Sequence, residues 1–360
     1  MAARISYVFR SVLIPGAALL GCAIVSSISV PVRASTALYS ITDLGSLGCC
    51  AEAGWESSAT AINDFGDVVG VTTSPTDPTN TVPFIYQNGT MTVIRDSYGW
   101  ATGINDAGQA TGFVLLPGEP NVHAFLYQHG VFTDLDGLPG YSNQPYAIGW
   151  AINNAGTIVG EANAEAMIYE NARMTGFKRR TARSANAIND AGDIVGLLEN
   201  TRGTPHSDHG FLFSGNTLIE LPTLDGASGS QTIPSGINSH QQVVGTGWIA
   251  GNSLQRAFLY ENGVMKDLGT FAGGYSGAAD INNSGHIVGY SDGFPFLYRD
   301  GVMIDLNQAF DKDASGVWPM IQNASAINEA GQIVGTALFG DELGNGHRRA
   351  FLLTPLNSSR

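Results

Sequence analysis

The stretch Ala59-Thr60-Ala61-Ile62-Asn63-Asp64-Phe65-Gly66-Asp67-Val68-Val69-Gly70 decides the fold. Small and β-branched residues run up to Asn63, a polar turn ends in Gly66, and an apolar run follows. That is the pattern of a short strand, a tight turn and a second strand. Its core, Ile-Asn-x-x-Gly-x-x-x-Gly, recurs at Asn63, Asn105, Asn153, Asn189, Asn238, Asn282 and Asn328, with Gln241 replacing the turn glycine once. The intervals of 42, 48, 36, 49, 44 and 46 residues, in a β-rich composition, predict four short strands per unit. Seven such units predict one all-β domain, a seven-bladed β-propeller.

The remaining strands of each unit follow by the same reading. Strand a ends at the asparagine and strand b is the apolar run after the turn. Strand c carries an aromatic-aliphatic-aromatic triplet such as Phe258-Leu259-Tyr260, and Asn262-Gly263 turns it into strand d, Met265-Lys266-Asp267-Leu268. Asn-Gly between apolar runs is a strong two-residue hairpin signal. Equivalent turns stand at Asn88-Gly89, His129-Gly130, Asn171-Ala172, Gly215-Asn216 and Asp300-Gly301. There are thus seven a-to-b turns but six c-to-d turns. The last strand c, Ala350-Phe351-Leu352-Leu353, has no strand d after it, and Tyr39-Ser40-Ile41-Thr42-Asp43-Leu44-Gly45 is a strand d with no strand c before it. Pairing of these N-terminal and C-terminal strands closes the ring and removes the exposed edges.

Two positions before each asparagine stand Ala61, Gly103, Ala151, Ala187, Gly236, Asp280 and Ala326. Six small residues fit a crowded axis, which makes strand a innermost. Asp280 is the exception, a carboxylate facing a central channel.

These repeats, with His123-Ala124-Phe125-Leu126-Tyr127 as the clearest copy, resemble the bacterial HAF repeat family of exported proteins. The likeness runs from residue 37 to 356 and includes the opening Ile41-Thr42-Asp43-Leu44-Gly45-Ser46-Leu47-Gly48 and the closing Asp305-Leu306-Asn307 and Ala350-Phe351-Leu352-Leu353-Thr354-Pro355. The resemblance implies export and repetition and brings no catalytic residue with it. Gln241 in place of the turn glycine predicts a distorted turn. Cys49-Cys50, where the family favours glycine and small residues, predicts a modified loop.

The N-terminus has the form of an export signal. Arg4 and Arg10 precede an apolar stretch from Val12 to Val32 that ends in Val30-Pro31-Val32-Arg33-Ala34, which predicts a signal peptide over 1–34, cleaved after Ala34, and a mature single domain over 35–360. A lipobox ending at Cys22 and an uncleaved membrane anchor are the alternatives. Cleavage leaves two adjacent cysteines, Cys49 and Cys50, which cannot staple the fold. The formal net charge of −14 becomes −17 once Arg4, Arg10 and Arg33 are removed. Such a surface disfavours nucleic acid, and the basic cluster Lys178-Arg179-Arg180 with Arg183 reads as a solvated loop.

No nucleophile elbow, phosphate loop, HExxH or dinucleotide fingerprint is present. His206, Asp208 and His209 fall in a Pro/Gly-rich segment and read as solvated. Asp311-Lys312-Asp313-Ala314-Ser315-Gly316 resembles the first half of a calcium loop, with Asp311, Asp313 and Ser315 as ligands. Its twelfth position is Gln322 instead of the bidentate Glu.

Because strands alternate in direction, all the tight a-to-b and c-to-d turns share one face, and the longer d-to-a and b-to-c connections share the other. The five tryptophans, Trp55, Trp100, Trp150, Trp248 and Trp318, all fall on or near the long-loop side, and none belongs to the repeat. They read either as plugs under the loops or as a surface able to stack on sugar rings or a partner chain. The sequence therefore predicts an exported, monomeric, non-catalytic propeller, periplasmic or extracellular, that binds a glycan or protein on its long-loop face. It would need no cofactor beyond a possible calcium ion and would have no transmembrane span in the mature chain. The alternatives are a propeller-type lyase or glycosidase, for which paired carboxylates in the channel mouth would speak, and a structural matrix protein.

Overall fold

A computed structural model describes residues 37–47, 56–135, 146–177, 182–199, 209–227, 230–249, 253–312, 319–340 and 346–356. Residues 1–34, expected to be a signal peptide and including Cys22, lie outside them, as do Cys49, Cys50, Trp55, the 178–180 cluster, His206, Asp208, Asp313, Ser315 and Trp318. Among the described residues, 28 strands and one short 3-10 turn, Leu306–Gln308, make up the regular structure. No helix there is long and apolar enough to cross a membrane.

The strands form seven four-stranded antiparallel sheets. Blade 1 shows the order: strand a Ser57–Ile62, b Val68–Thr73, c Thr81–Gln87 and d Thr90–Val93. Blades 2 to 6 repeat it over 99–134, 147–176, 182–220, 232–267 and 276–305. Blade 7 takes strands a to c from Met320–Ile327, Ile333–Gly340 and Gly346–Pro355, and strand d from Tyr39–Asp43 at the other end of the chain. The seam registers Tyr39 with Pro355 and Asp43 with Phe351. Closure by the two terminal strands, expected from the turn count, is thus present. Leu38 and Tyr39 also donate backbone N–H bonds to the Ala309 carbonyl, at 2.7 and 3.0 Å, which fastens the first strand to the segment following blade 6.

The core lies between blades. Val69 and Ile85 of blade 1 pack against Ala101, Ala110 and Phe125 of blade 2, and each junction repeats this arrangement. The aromatic of the strand c triplet fills every junction: Phe84, Phe125, Phe211, Phe258, Phe296 and Phe351, with Met167 in blade 3, are wholly buried. Full burial of such a side chain stabilises by about 1.5–3 kcal/mol.

The residues around that aromatic are structural too. The position two before it is basic in four blades and pairs across the outer hairpin with an acid on strand d. His123 meets Asp134 at 2.9 Å, His209 meets Glu220 at 3.3 Å, Arg256 meets Asp267 at 3.7 Å, and Arg349 meets Asp43 at 2.8 Å. The second glycine of the motif has an equally local cause. Strand a carries a β-bulge in every blade, as between Ala59 and Ala61, and this brings the Ser58 carbonyl so close to Gly70 that a Cβ there would overlap it.

The motif asparagine joins the blades. In blade 1, Asn63 Oδ1 accepts the N–H groups of Phe65 and Asp67 at 3.1 and 2.8 Å, while its Nδ2 donates to the Asn105 carbonyl at 3.0 Å. Asn105, Asn153, Asn189, Asn238 and Asn282 each donate to the next asparagine's carbonyl, and Asn328 donates back to Asn63 at 2.9 Å. Gln241 does not distort its turn as expected. It adopts φ +60°, keeps the backbone bond to the Asn238 carbonyl at 3.1 Å, and uses its side chain to bond Asp193 and Ser214. Those two bonds hold a non-glycine residue in the left-handed region.

Candidate functional site

Strand a runs beside the axis, so its side chains line a channel. The isoleucine before each asparagine, from Ile62 to Ile327, forms a waist with a cup on either side.

The cup at the tight-turn end has a cavity of about 230 Å³. Its rim comes from the residue after each asparagine: Asp64, Asp106, Asn154, Asp190, Ser239, Asn283 and Glu329. Four carboxylates meet here, but their oxygens are engaged within the ring. Asp64 N–H donates to Asp106, Asp106 N–H to Asn154, Asn154 N–H to Asp190, Asn283 N–H to Glu329 and Glu329 N–H to Asp64, at 2.8–2.9 Å. Burial raises the Glu329 pKa, with the charges of Asp64 and Asp106 adding to it and the Asn283 N–H opposing it. The rim fastens turns to one another.

The cup at the long-loop end has a cavity of about 210 Å³. The bulge residues line it. Thr60 Oγ1 donates to the Ala101 carbonyl at 2.7 Å, Thr102 Oγ1 to Gly149 at 2.5 Å, Asn186 Nδ2 to Pro234 at 2.8 Å and Ser235 Oγ to Ala278 at 2.8 Å. These bonds join blades and leave the hydroxyl oxygens with acceptor lone pairs toward the channel. The bulge residue of blade 3 is Trp150, the one aromatic side chain in this lining among the described residues.

Among the described residues, Asp280 is the one carboxylate in the same lining. Its Oδ1 accepts the Ile281 N–H at 2.8 Å and its Oδ2 the Ile327 N–H of blade 7 at 3.0 Å. Gly236 of blade 5 leaves room for it. Burial in the channel wall pushes its pKa up to about 6, against the lowering effect of the two N–H bonds.

Outside the channel on the same face, blade 2 presents three aromatic rings. Tyr98 and Trp100 are 44% and 42% exposed. Both lie against Phe113, Trp100 stacked at 6.3 Å and 25°, Tyr98 tilted at 6.4 Å and 57°. Strand a of blade 3 runs alongside blade 2 and brings Tyr146 and Trp150, with Glu161 on its neighbouring strand b. Burial raises the pKa of both Tyr146 and Glu161. The negative charge of Glu161 adds to the Tyr146 shift, while Arg183 of blade 4 opposes the Glu161 shift. Aromatic rings, a carboxylate and a guanidinium thus form an arc from blade 2 to blade 4.

Of the predicted tryptophans, Trp100 and Trp150 stand on adjoining blades, Trp100 stacked on Phe113 and Trp150 in the channel lining. Trp248 is part-buried near the end of strand b of blade 5, with its backbone N–H on the Gln231 carbonyl at 2.9 Å. Trp55 and Trp318 lie outside the described residues. Of the calcium ligands only Asp311 is described, and it is exposed. Tyr98, Phe113, Tyr146 and Glu161 were not singled out from the sequence. Tyr98 and Tyr146 stand seven residues before Asn105 and Asn153, and Phe113 and Glu161 eight after them, positions at which most other repeats carry other residues, so a column-by-column comparison of the repeats is the signal that finds them.

No family model matches the chain, and no curated protein matches it. Solved structures do. A gluconolactonase of Xanthomonas campestris is similar at 13% identity and TM-score 0.39, over 76% of this chain and 90% of that one. A neuraminidase-like protein of influenza A/flat-faced bat is similar at 8% identity and TM-score 0.42, over 90% and 96%. The extracellular domain of a protein described as a hybrid two component system of B. thetaiotaomicron is similar at 12% identity and TM-score 0.52, over 90% of this chain and 40% of that one. Only the last superposes well enough to bear on architecture, and at 12% identity it speaks for the propeller fold alone.

Proposed function

We propose that this chain is an exported HAF-repeat protein, extracellular or periplasmic, that works as a monomeric binding scaffold and receives its ligand on the long-loop face. The observation that carries this is that Trp100, stacked on Phe113 beside Tyr98 in blade 2, and Trp150, which lines the long-loop end of the channel in blade 3, stand on adjoining blades of one face, and both tryptophans are foreign to the repeat. Exposed aromatic rings next to hydroxyls and a carboxylate suit a sugar chain, whose C–H faces stack while its hydroxyl groups find acceptors. The tight-turn cup is slightly larger, but each of its four carboxylates already accepts a backbone N–H from a neighbouring turn.

The test is a screen of the mature chain against neutral and charged glycans, with turnover followed on the same compounds. Retention without turnover supports a binding role. Turnover that is lost in Asp280→Ala or Glu161→Gln would instead support the lyase or glycosidase reading. Retention of a protein partner and no glycan would move the ligand class to protein.

A further inference from the structure

The aromatic pair of blade 2 has a counterpart in blade 6. Tyr98 and Phe113 stand seven residues before and eight after Asn105, and Tyr275 and Tyr290 stand seven before and eight after Asn282. Their geometries match: centroids 6.4 Å apart with planes at 57° in blade 2, and 6.1 Å apart at 56° in blade 6. The fold does not call for these rings. The position eight after the asparagine holds Val71, Leu197, Thr246 and Thr336 in four other blades, which build the same sheets without an aromatic ring there. Nor do the rings of blade 6 bury themselves. Tyr275 is 49% exposed and Tyr290 36%, an exposed aromatic pair of the kind that marks a binding surface.

The loop carrying Tyr275 is held in place by the rest of the blade. Phe271 N–H donates to Ser291 Oγ at 2.9 Å, Ala272 N–H to Asp292 Oδ2 at 2.8 Å, and Asp292 N–H to the Tyr275 carbonyl at 2.8 Å. The Arg256 guanidinium bonds the Gly274 carbonyl. The Ala272 N–H, with other backbone donors of this loop, holds the Asp292 carboxyl below its ordinary pKa. A platform fixed in advance loses little conformational freedom on binding.

The chemistry selects the occupant. Rings rimmed by a tyrosine hydroxyl and the Asp292 carboxylate fit the C–H face and hydroxyl edge of a sugar. A chain with a formal net charge of −14 repels anionic polymers. We propose that Tyr275 and Tyr290 form a second carbohydrate-stacking platform, the counterpart of the Tyr98–Phe113 pair beside Trp100, so that the long-loop face takes a neutral glycan at two places. This rests on the glycan-binding reading above. A polymer long enough to reach both platforms would bind more tightly than a fragment that reaches one.

Calorimetric titration of the mature chain with hexasaccharides of β-1,3-glucan, β-1,4-glucan, α-1,4-glucan and chitin tests it. At least one hexasaccharide is expected to bind at two per chain. The double variant Tyr275→Ala/Tyr290→Ala is expected to leave one site, or to weaken one by about tenfold or more, as loss of about 1.4 kcal/mol of stacking implies. Tyr275→Phe/Tyr290→Phe should keep both sites, and thermal melting should show all variants folded. One site per chain, lost in Trp100→Ala and untouched by the tyrosine double variant, would overturn the second platform and leave the binding reading standing. Binding of none of the four hexasaccharides would overturn the second platform and the neutral-glycan ligand class together.

Discussion

The side-chain amide of Asn328, in the last blade, donates to the backbone carbonyl of Asn63, in the first, at 2.9 Å across 265 residues of sequence. It is the last bond of a ring of seven identical bonds, and it makes the motif asparagine the link between blades as well as the cap of its own turn. Alanine at position 328 would remove one of the two donors to the Asn63 carbonyl, which keeps the Gly66 N–H, and would leave the Gln332 N–H without its partner. A loss of about 1–3 kcal/mol is expected, the cost of one buried orphan. Urea unfolding of Asn328→Ala, compared with a solvent-exposed control such as Glu119→Ala, measures it.

Ring closure has its own test. Phe351 is wholly buried in strand c of blade 7 and registers with Asp43 of the N-terminal strand. Phe351→Ala is expected to cost about 3–5 kcal/mol. Removing residues 37–46 should lower the melting temperature of the whole domain, because each junction depends on both of its blades. A melting temperature unchanged by the deletion would mean that the seam is not a structural joint.

Asp280 gives the fold a pH dependence of defined sign. Its folded pKa of about 6 lies above its ordinary 3.8, so the folded state holds this proton more tightly than the unfolded state does. That contribution is complete below about 3.8 and is lost as the pH rises through about 6. Alanine stands at the equivalent position of four other blades, so Asp280→Ala should fold. The stability of Asp280→Ala relative to wild type is expected to increase from pH 4 to pH 7. Denaturant midpoints across that range decide it, and a difference that is flat with pH would contradict the burial of this carboxyl.

Much of this was legible in the sequence for a physical reason. A repeat prints each structural demand seven times, so the turn asparagine, the small residues at the axis and the buried aromatic of strand c stood out against a varying background. The count of turns located the seam because an unmatched hairpin can be seen without coordinates. Gln241 misled because its turn is held by side-chain bonds to Asp193 and Ser214, residues of the preceding blade. The candidate site was only half legible. Trp100 and Trp150 announced themselves by residue type, whereas Tyr98, Phe113, Tyr275 and Tyr290 are ordinary residues until the bulged strand a and strand b bring them face to face. Asp280 was visible as an exception. Its bond to the Ile327 N–H of the next blade was not, because that depends on how neighbouring blades are set against each other.

The central claim is that the long-loop face binds, and affinity electrophoresis of the mature chain through gels containing a neutral polysaccharide tests it most directly. Three proteins are compared: wild type, Trp100→Ala and a tight-turn variant, Asp106→Asn. Trp100 is 42% exposed and stacks on Phe113, so its replacement is expected to cost about 0.5–1.5 kcal/mol, and thermal melting confirms that the variant is folded before the comparison is read. The account predicts that the polysaccharide retards wild type and Asp106→Asn equally and that Trp100→Ala loses most of that retardation. Retardation kept in Trp100→Ala and lost in Asp106→Asn would place the working face at the opposite end of the channel and contradict the account.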